Sequence, residues 1–245
     1  MARTLYVALL ATLYTVVFGL TVLLLALTRP RSQWIDRAIR QWARLVVGAA
    51  GIDITTENAE VLDRHPRYII IANHTSYFDI PCLQAVVRQP LRFLAKKSLF
   101  VIPIFGWALQ ASGFIPIDRK DRRTAVRSFD RAASQLRVGK SIVVFPEEGR
   151  SRTSEMRPFK RGAFLLALKA GIPIIPVAIR GTLEVLPAGR LSIRPGPVRL
   201  TFGEPVLTSG MSVRQKDELA STMRAMIETM LEGDAVIEAG TSVSS

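Results

Sequence analysis

The sequence predicts an α/β fold: a central, mixed, mostly buried sheet flanked by helices, preceded by an N-terminal membrane-associated helical segment. Three observations carry this prediction. Six short runs rich in Ile, Val, Leu and Phe, at 68–72, 91–95, 114–117, 141–145, 174–179 and 198–202, alternate with helical stretches near 79–88, 97–110, 121–138, 160–170 and 212–233. Continuous apolar runs, rather than strict polar–apolar alternation, mark strands covered on both faces. A turn signal at Arg194, Pro195, Gly196 and Pro197 separates the last two runs and predicts an antiparallel hairpin. Finally, residues 5–27 contain no charge.

That uncharged run would be about 35 Å long as a helix, enough to cross a hydrocarbon core of ~30 Å. A signal peptide is the main rival, but the run is long for one and no small-residue cleavage site follows it. Five arginines between Arg29 and Arg44 follow the run, against Arg3 before it, which places the next segment in the cytoplasm. Between 31 and 51, Trp34, Ile35, Ala38, Ile39, Trp42, Leu45 and Val46 recur at helical spacing with arginines on the other side. This is the pattern of an interfacial helix on anionic lipid, with a core-facing helix as the alternative. The chain therefore divides into membrane-anchoring helices at 1–50, an α/β domain at 51–233 and a flexible tail at 234–245. At 245 residues it can bury a sizeable core, and no internal repeat is present.

Net charge is +13, unevenly spread. Residues 1–50 carry 6 basic and 1 acidic side chains, which suits a membrane surface, while 111–170 carry 14 basic and 6 acidic ones. The second excess lies inside the domain and asks for an anionic partner. Nucleic acid is disfavoured, because aromatic residues are too sparse there for base stacking. The single Cys82 excludes an internal disulfide and fits a reducing compartment.

Four strand ends carry candidate chemistry. In NHTSYFD at 73–79, a strand delivers His74 to the sheet edge, with Thr75 or Ser76 as a helix cap. Asp79 lies five residues on, where it can orient the imidazole as a general base; a capping histidine beside an unrelated acid is the plain alternative. The second stretch, GFIPIDR at 113–119, ends in Arg119, a candidate phosphate ligand or simply a charged turn. The third, FPEEGRS at 145–151 with Arg152 after it, brings Glu147, Arg150 and Arg152 together, either around a polyol phosphate or as a mutual ion pair. The fourth, IIPVAIRG at 174–181, is mostly core. Metal ligation is poorly supported, since the only other histidine is His65. No nucleophilic G-x-S-x-G occurs, and the GKS at 139–141 lacks the leading glycine of a P-loop.

In order and spacing, these four blocks, with AKKSLF at 95–100 and PIFGW at 103–107, resemble the glycerolipid acyltransferase family. The resemblance is greatest to its bacterial 1-acyl-sn-glycerol-3-phosphate acyltransferases and covers roughly residues 68–181. NHTSYFD matches the family's N-H-x4-D, GFIPIDR its G-x-I-x-I-D-R, and FPEEGRS its F-P-E-G-T-R-S at five of seven positions. Glu148 replaces the usual Gly, and Gly149 the usual Thr.

The resemblance implies that His74 deprotonates an acceptor hydroxyl and that Asp79 orients His74. Arg119 would bind the acceptor phosphate, Glu147, Gly149 and Arg150 would place the glycerol and phosphate, and Lys97 is a lesser headgroup candidate. Backbone N–H groups after His74 are the expected oxyanion donors. The implied partners are lysophosphatidic acid, acyl-CoA or acyl carrier protein, and a lipid bilayer, with no cofactor or metal. The implied location is the cell membrane, with the catalytic domain facing the cytoplasm. A different lysolipid acceptor, such as a lysophospholipid or lyso-ornithine lipid, and a non-catalytic lipid-binding role are the alternatives.

Overall fold

The computed structural model describes residues 2–30, 32–118 and 122–241, with 122–126 and 234–241 as helical backbone. Two helices, α1 (Ala2–Thr28) and α2 (Gln33–Ala50), precede seven strands: β1 (Ile52–Glu57), β2 (Ile69–Ala72), β3 (Leu91–Lys96), β4 (Ile115–Ile117), β5 (Ser141–Val144), β6 (Ile174–Arg180) and β7 (Gly196–Phe202). Between and after them lie α3 (Asp79–Val86), α4 (Phe105–Ser112), α5 (Arg122–Arg137), α6 (Gly162–Ala170), α7 (Thr182–Val185) and α8 (Lys216–Thr241). The strands form one sheet in the order β1-β7-β6-β2-β5-β3-β4. The β6–β7 pair is antiparallel and the other pairs are parallel, so the sheet is mixed as expected.

Each central strand is buried on both faces. In β2, Ile70 and Ala72 pack towards α2 and α3, while Ile69 and Ile71 pack into the core that contains α5, α6 and α8. This two-sided burial is why the run reads IIIA rather than alternating.

All six predicted strands are present, and the misses have physical reasons. Strand β1 reads IDITTE and was not expected; it is a partly exposed edge strand without an apolar run. The antiparallel pair exists, but residues 181–195, including α7, connect its strands in place of a tight hairpin at Pro195–Pro197. The predicted helix over 97–110 is broken. A 3-10 turn (Lys97–Val101) gives way to a reversal in which Phe105 N–H donates to Pro103 O at 2.7 Å, with Ile104 at φ 63°. Helix α8 continues past Asp234, where a tail was expected.

The interfacial reading of α2 is overturned. Ile35, Ala38, Ile39, Val46 and Val47 are buried against protein, so the core-facing alternative holds. Two of its three arginines serve the C-terminal end of α3: Arg40 donates to Val87 O and Arg88 O, and Arg44 to Ala85 O, while Arg37 stays exposed over Trp34. Cations at a helix C-terminus satisfy its unpaired carbonyls and complement its dipole. Buried Asp36 completes the attachment, accepting from Arg92 Nη2 and Lys140 Nζ at 2.6 Å each. Arg92, only 2% exposed, also donates to Ser112 O and Leu91 O.

By length and composition, α1 is the one helix among the described residues able to cross a membrane. It nevertheless lies along the domain: Arg3 donates to Ala50 O at one end, and Gly19 meets Ile104 Cγ2 further along. Its outer face exposes Leu5, Leu9, Leu13, Leu20, Leu24 and Leu27.

Asp36→Ala is expected to lower stability by about 3–5 kcal/mol, because it strands a buried guanidinium. Adding Arg92→Met should recover part of that loss, and thermal unfolding of the two purified variants checks both statements.

Candidate active site

The parallel strands β2, β5, β3 and β4 end on one edge of the sheet, and the loops leaving β2 and β5 meet there. Asn73, the first residue after β2, extends the sheet with its side chain. Its Nδ2 donates to Ile179 O at 2.8 Å, and its Oδ1 accepts from Ile179 N–H at 2.7 Å. Sequence inspection gave Asn73 no such task, although an Asn closing an apolar run is a recognisable signal for one.

His74 follows and is held on every side. Its Nδ1 lies 2.7 Å from Asp79 Oδ2, and its ring stacks on Phe145 with centroids 4.1 Å apart. Its backbone N–H donates to Glu147 Oε1 at 2.7 Å, and its carbonyl accepts from Ser151 N–H at 2.8 Å. Asp79 is fully buried at the first residue of α3, where the helix dipole favours a negative charge. Its Oδ2 also accepts from the N–H groups of Thr75 (2.9 Å) and Ser76 (3.0 Å), and its Oδ1 from Thr182 Oγ1 (2.5 Å). The i, i+5 pair read from the sequence is therefore a real contact. Thr182 was missed, because 103 residues separate it from Asp79.

Two expectations change. The N–H groups of Thr75 and Ser76 are spent on Asp79, so they cannot serve as oxyanion donors. The N-cap position of α3 falls on Phe78 rather than on either residue, but Ser76 Oγ does accept from the Phe78 N–H at 3.3 Å while donating to Leu186 O. Glu147 also differs from the expectation of a glycerol contact. It is 3% exposed, and its second oxygen accepts from Arg157 N–H at 2.8 Å, so both oxygens clamp backbone. Burial pushes its carboxyl above the usual range, against the opposing pull of those two N–H groups.

The remaining candidates separate. Arg150 lies over the Tyr77 ring at 3.5 Å, and its buried Nη1 has no hydrogen-bond partner among the described residues. A cation stacked on an aromatic with a desolvated, unused N–H is a prepared anion ligand. At Gly149 a Cβ would stand 2.7 Å from Arg157 Nη1, so the glycine admits a second guanidinium that the sequence reading did not single out. Lys97 is exposed just after β3, with no recorded bond to the His74 cluster among the described residues. Arg119, like Arg31, lies outside the described residues.

An apolar slot adjoins the cluster between α1, α2, α3 and α4, with Phe18, Trp42, Ile80, Phe93 and Leu109 among its walls. Ring stacking links the two: Phe145, beneath His74, lies 6.0 Å from Phe93, which lies 6.2 Å from Phe114. Among the described residues, no cluster of His, Cys, Asp or Glu suits a metal ion.

The sequence model of the Acyltransferase family matches residues 53–180, which include His74, Asp79, Glu147 and Arg150, and the chain belongs to that family. A chloroplastic 1-acyl-sn-glycerol-3-phosphate acyltransferase of Brassica napus is 36% identical over 58% of this chain, which spans only 41% of that protein. The 1-acyl-sn-glycerol-3-phosphate acyltransferase of Salmonella typhimurium is 34% identical over 73% of this chain and 72% of its own. The crystal structure of the 1-acyl-sn-glycerophosphate (LPA) acyltransferase PlsC from Thermotoga maritima superposes with a TM-score of 0.82 at 29% identity, covering 95% of this chain and 94% of that one. The family read from the strand ends is thus the family found.

Glu148, which stands where the family motif has Gly, has φ 55°. The left-handed turn persists although the glycine that suits it does not. Glu148→Gly is expected to hold or raise the melting temperature, whereas β-branched Glu148→Val should destabilise by about 1–2 kcal/mol; thermal unfolding of both variants distinguishes them.

Proposed function

We propose that the chain is a membrane-bound 1-acylglycerol-3-phosphate O-acyltransferase. It moves a fatty acyl chain from an acyl thioester, of coenzyme A or an acyl carrier protein, to the sn-2 hydroxyl of lysophosphatidic acid. The product is phosphatidic acid. The observation that carries this reading is the His74–Asp79 contact of 2.7 Å beside an apolar slot. The names of the relatives agree with it.

With Nδ1 engaged by Asp79, Nε2 of His74 is the nitrogen left to receive a proton. As the acceptor oxygen attacks the thioester carbonyl, the hydroxyl proton passes to Nε2. The tetrahedral intermediate collapses, the carbon–sulfur bond breaks, and the imidazolium returns the proton to the departing thiolate. Asp79 supports the charge that appears on the ring between these steps. A thioester is already activated, so the chemistry asks for a base and orientation rather than a covalent enzyme intermediate. Arg150, with Arg157 and the sequence candidate Arg119, supplies cationic donors for the acceptor phosphate, and Lys97 is a more distant one. The apolar slot offers room for the acyl chain.

The outer leucines of α1 support attachment to the cell membrane. Its inner face is docked on α2 and α4, which favours a helix lying along the bilayer face over one crossing alone. The arginine excess after α1 favours the cytoplasmic side.

The test is a panel of lysolipid acceptors offered to the purified chain with acyl-CoA and acyl carrier protein donors. Phosphatidic acid should form, and its absence with both donors would remove this assignment. His74→Ala should cut turnover by about 10²–10⁴-fold. Thr182→Val should lower kcat roughly tenfold, since Asp79 loses a donor that holds it in place under His74. Thr182→Ser should restore it; an unchanged kcat in Thr182→Val would leave Thr182 a packing residue.

A further inference from the structure

The loop between β2 and α3, which carries His74, is buried almost throughout, with one exception. Asn73, Thr75, Ser76, Phe78 and Asp79 are buried, whereas Tyr77 is 63% exposed. The backbone on either side of Tyr77 is fixed, since Ser76 N–H donates to Asp79 Oδ2 and Phe78 N–H to Ser76 Oγ. A large ring displayed from a rigid loop adds little to the core. What it does face is Arg150, whose guanidinium carbon lies 3.5 Å from the ring centre.

Arg150 is held differently from other arginines of this protein. Arg64, Arg92, Arg161 and Arg224 each pair with a carboxylate. Among the described residues no acid pairs with Arg150, and Glu147, three residues before it, engages backbone N–H groups with both oxygens. The difference bears on chemistry. A carboxylate would occupy the in-plane N–H donors and offset the charge that attracts a phosphate. An aromatic face draws the cation from above and leaves those in-plane donors unused. The buried, unpartnered Nη1 is one of them. The stack also settles a long, flexible side chain before any ligand arrives, so less rotamer entropy is lost on binding.

We infer that Tyr77 is a positioning residue for the acceptor phosphate: its ring is the platform that holds Arg150 ready without using its donors. This rests on the reading of Arg150 as a phosphate ligand and adds to it the residue that orients that ligand. Tyr77 lies three residues after His74, so one loop carries both the base and the platform. The phosphate is remote from the bond being made. The stack therefore strengthens substrate and transition state alike and acts on KM rather than on kcat. The ring face does the holding, not the hydroxyl.

The experiment measures kcat and KM for lysophosphatidic acid, using the purified full chain and a saturating acyl thioester. Tyr77→Ala should raise KM about 3- to 10-fold, as expected of a partly exposed cation–π contact, with kcat within about twofold of wild type. Tyr77→Phe keeps the ring and should restore the wild-type KM. In an Arg150→Ala background, Tyr77→Ala should change nothing further. An unchanged KM in Tyr77→Ala, no recovery in Tyr77→Phe, or an effect that survives Arg150→Ala at full size would overturn the inference.

The two readings fail separately. If Arg150→Ala leaves KM unchanged, the phosphate reading falls and this inference with it. If Arg150→Ala raises KM and Tyr77→Ala does not, only the platform is lost. Should no thioester be turned over, calorimetric titration with lysophosphatidic acid decides. Binding weakened in Tyr77→Ala and regained in Tyr77→Phe would support the platform; equal binding by wild type and Tyr77→Ala would refute it.

Discussion

A carboxylate with no exposed surface sits at the centre of this protein, and much of the site's construction answers the cost of placing it there. An ionised, unpaired Asp79 would not survive in such a position. It is held by two N–H groups of its own loop, by a hydroxyl from α7, by the imidazole it orients and by the start of α3. Satisfying Asp79 thus joins the loop after β2 to the segment after β6. Glu147 extends the same construction sideways, with one oxygen on the His74 backbone and the other on Arg157. The two acids divide the labour: one fixes the ring, the other fixes the main chain that carries it.

How much of this could be read from the residues follows from the range of the interactions. The i, i+5 contact of His74 with Asp79 is local, and a strand-to-helix turn is enough to make it. The strand runs were legible because burial on both faces leaves a compositional mark. Glu147 was recognised as part of the site but given the wrong partners, since its sequence neighbours include arginines while its structural partners are backbone N–H groups. Backbone donors leave no trace in a one-letter string. Thr182 and β1 were invisible for related reasons: one acts across the sheet, and the other is an edge strand with little apolar content.

The same reasoning explains the reversal at α2. Amphipathic spacing shows that a helix has one apolar face, but it does not say whether lipid or protein covers that face. Arginines on the other side suggested lipid. Arg40 and Arg44 are instead engaged with carbonyls at the C-terminal end of α3, and the buried Asp36 among them is tied to the sheet. A single acid at the start of an otherwise basic helix was the clue to an internal partner. Among the described residues, half of the exposed large apolar side chains belong to α1.

The clamp between α2, α3 and the sheet has a consequence for encounter rates. Because α1 is docked on a helix that is itself bolted to β3, the height of His74 above the leucine-rich face is set by rigid contacts rather than by a tether. On a bilayer, such a site would sweep a plane and not a volume. Acceptor supply would then scale with molecules per unit area of membrane, and diluting the lipid surface would slow turnover even at constant bulk concentration.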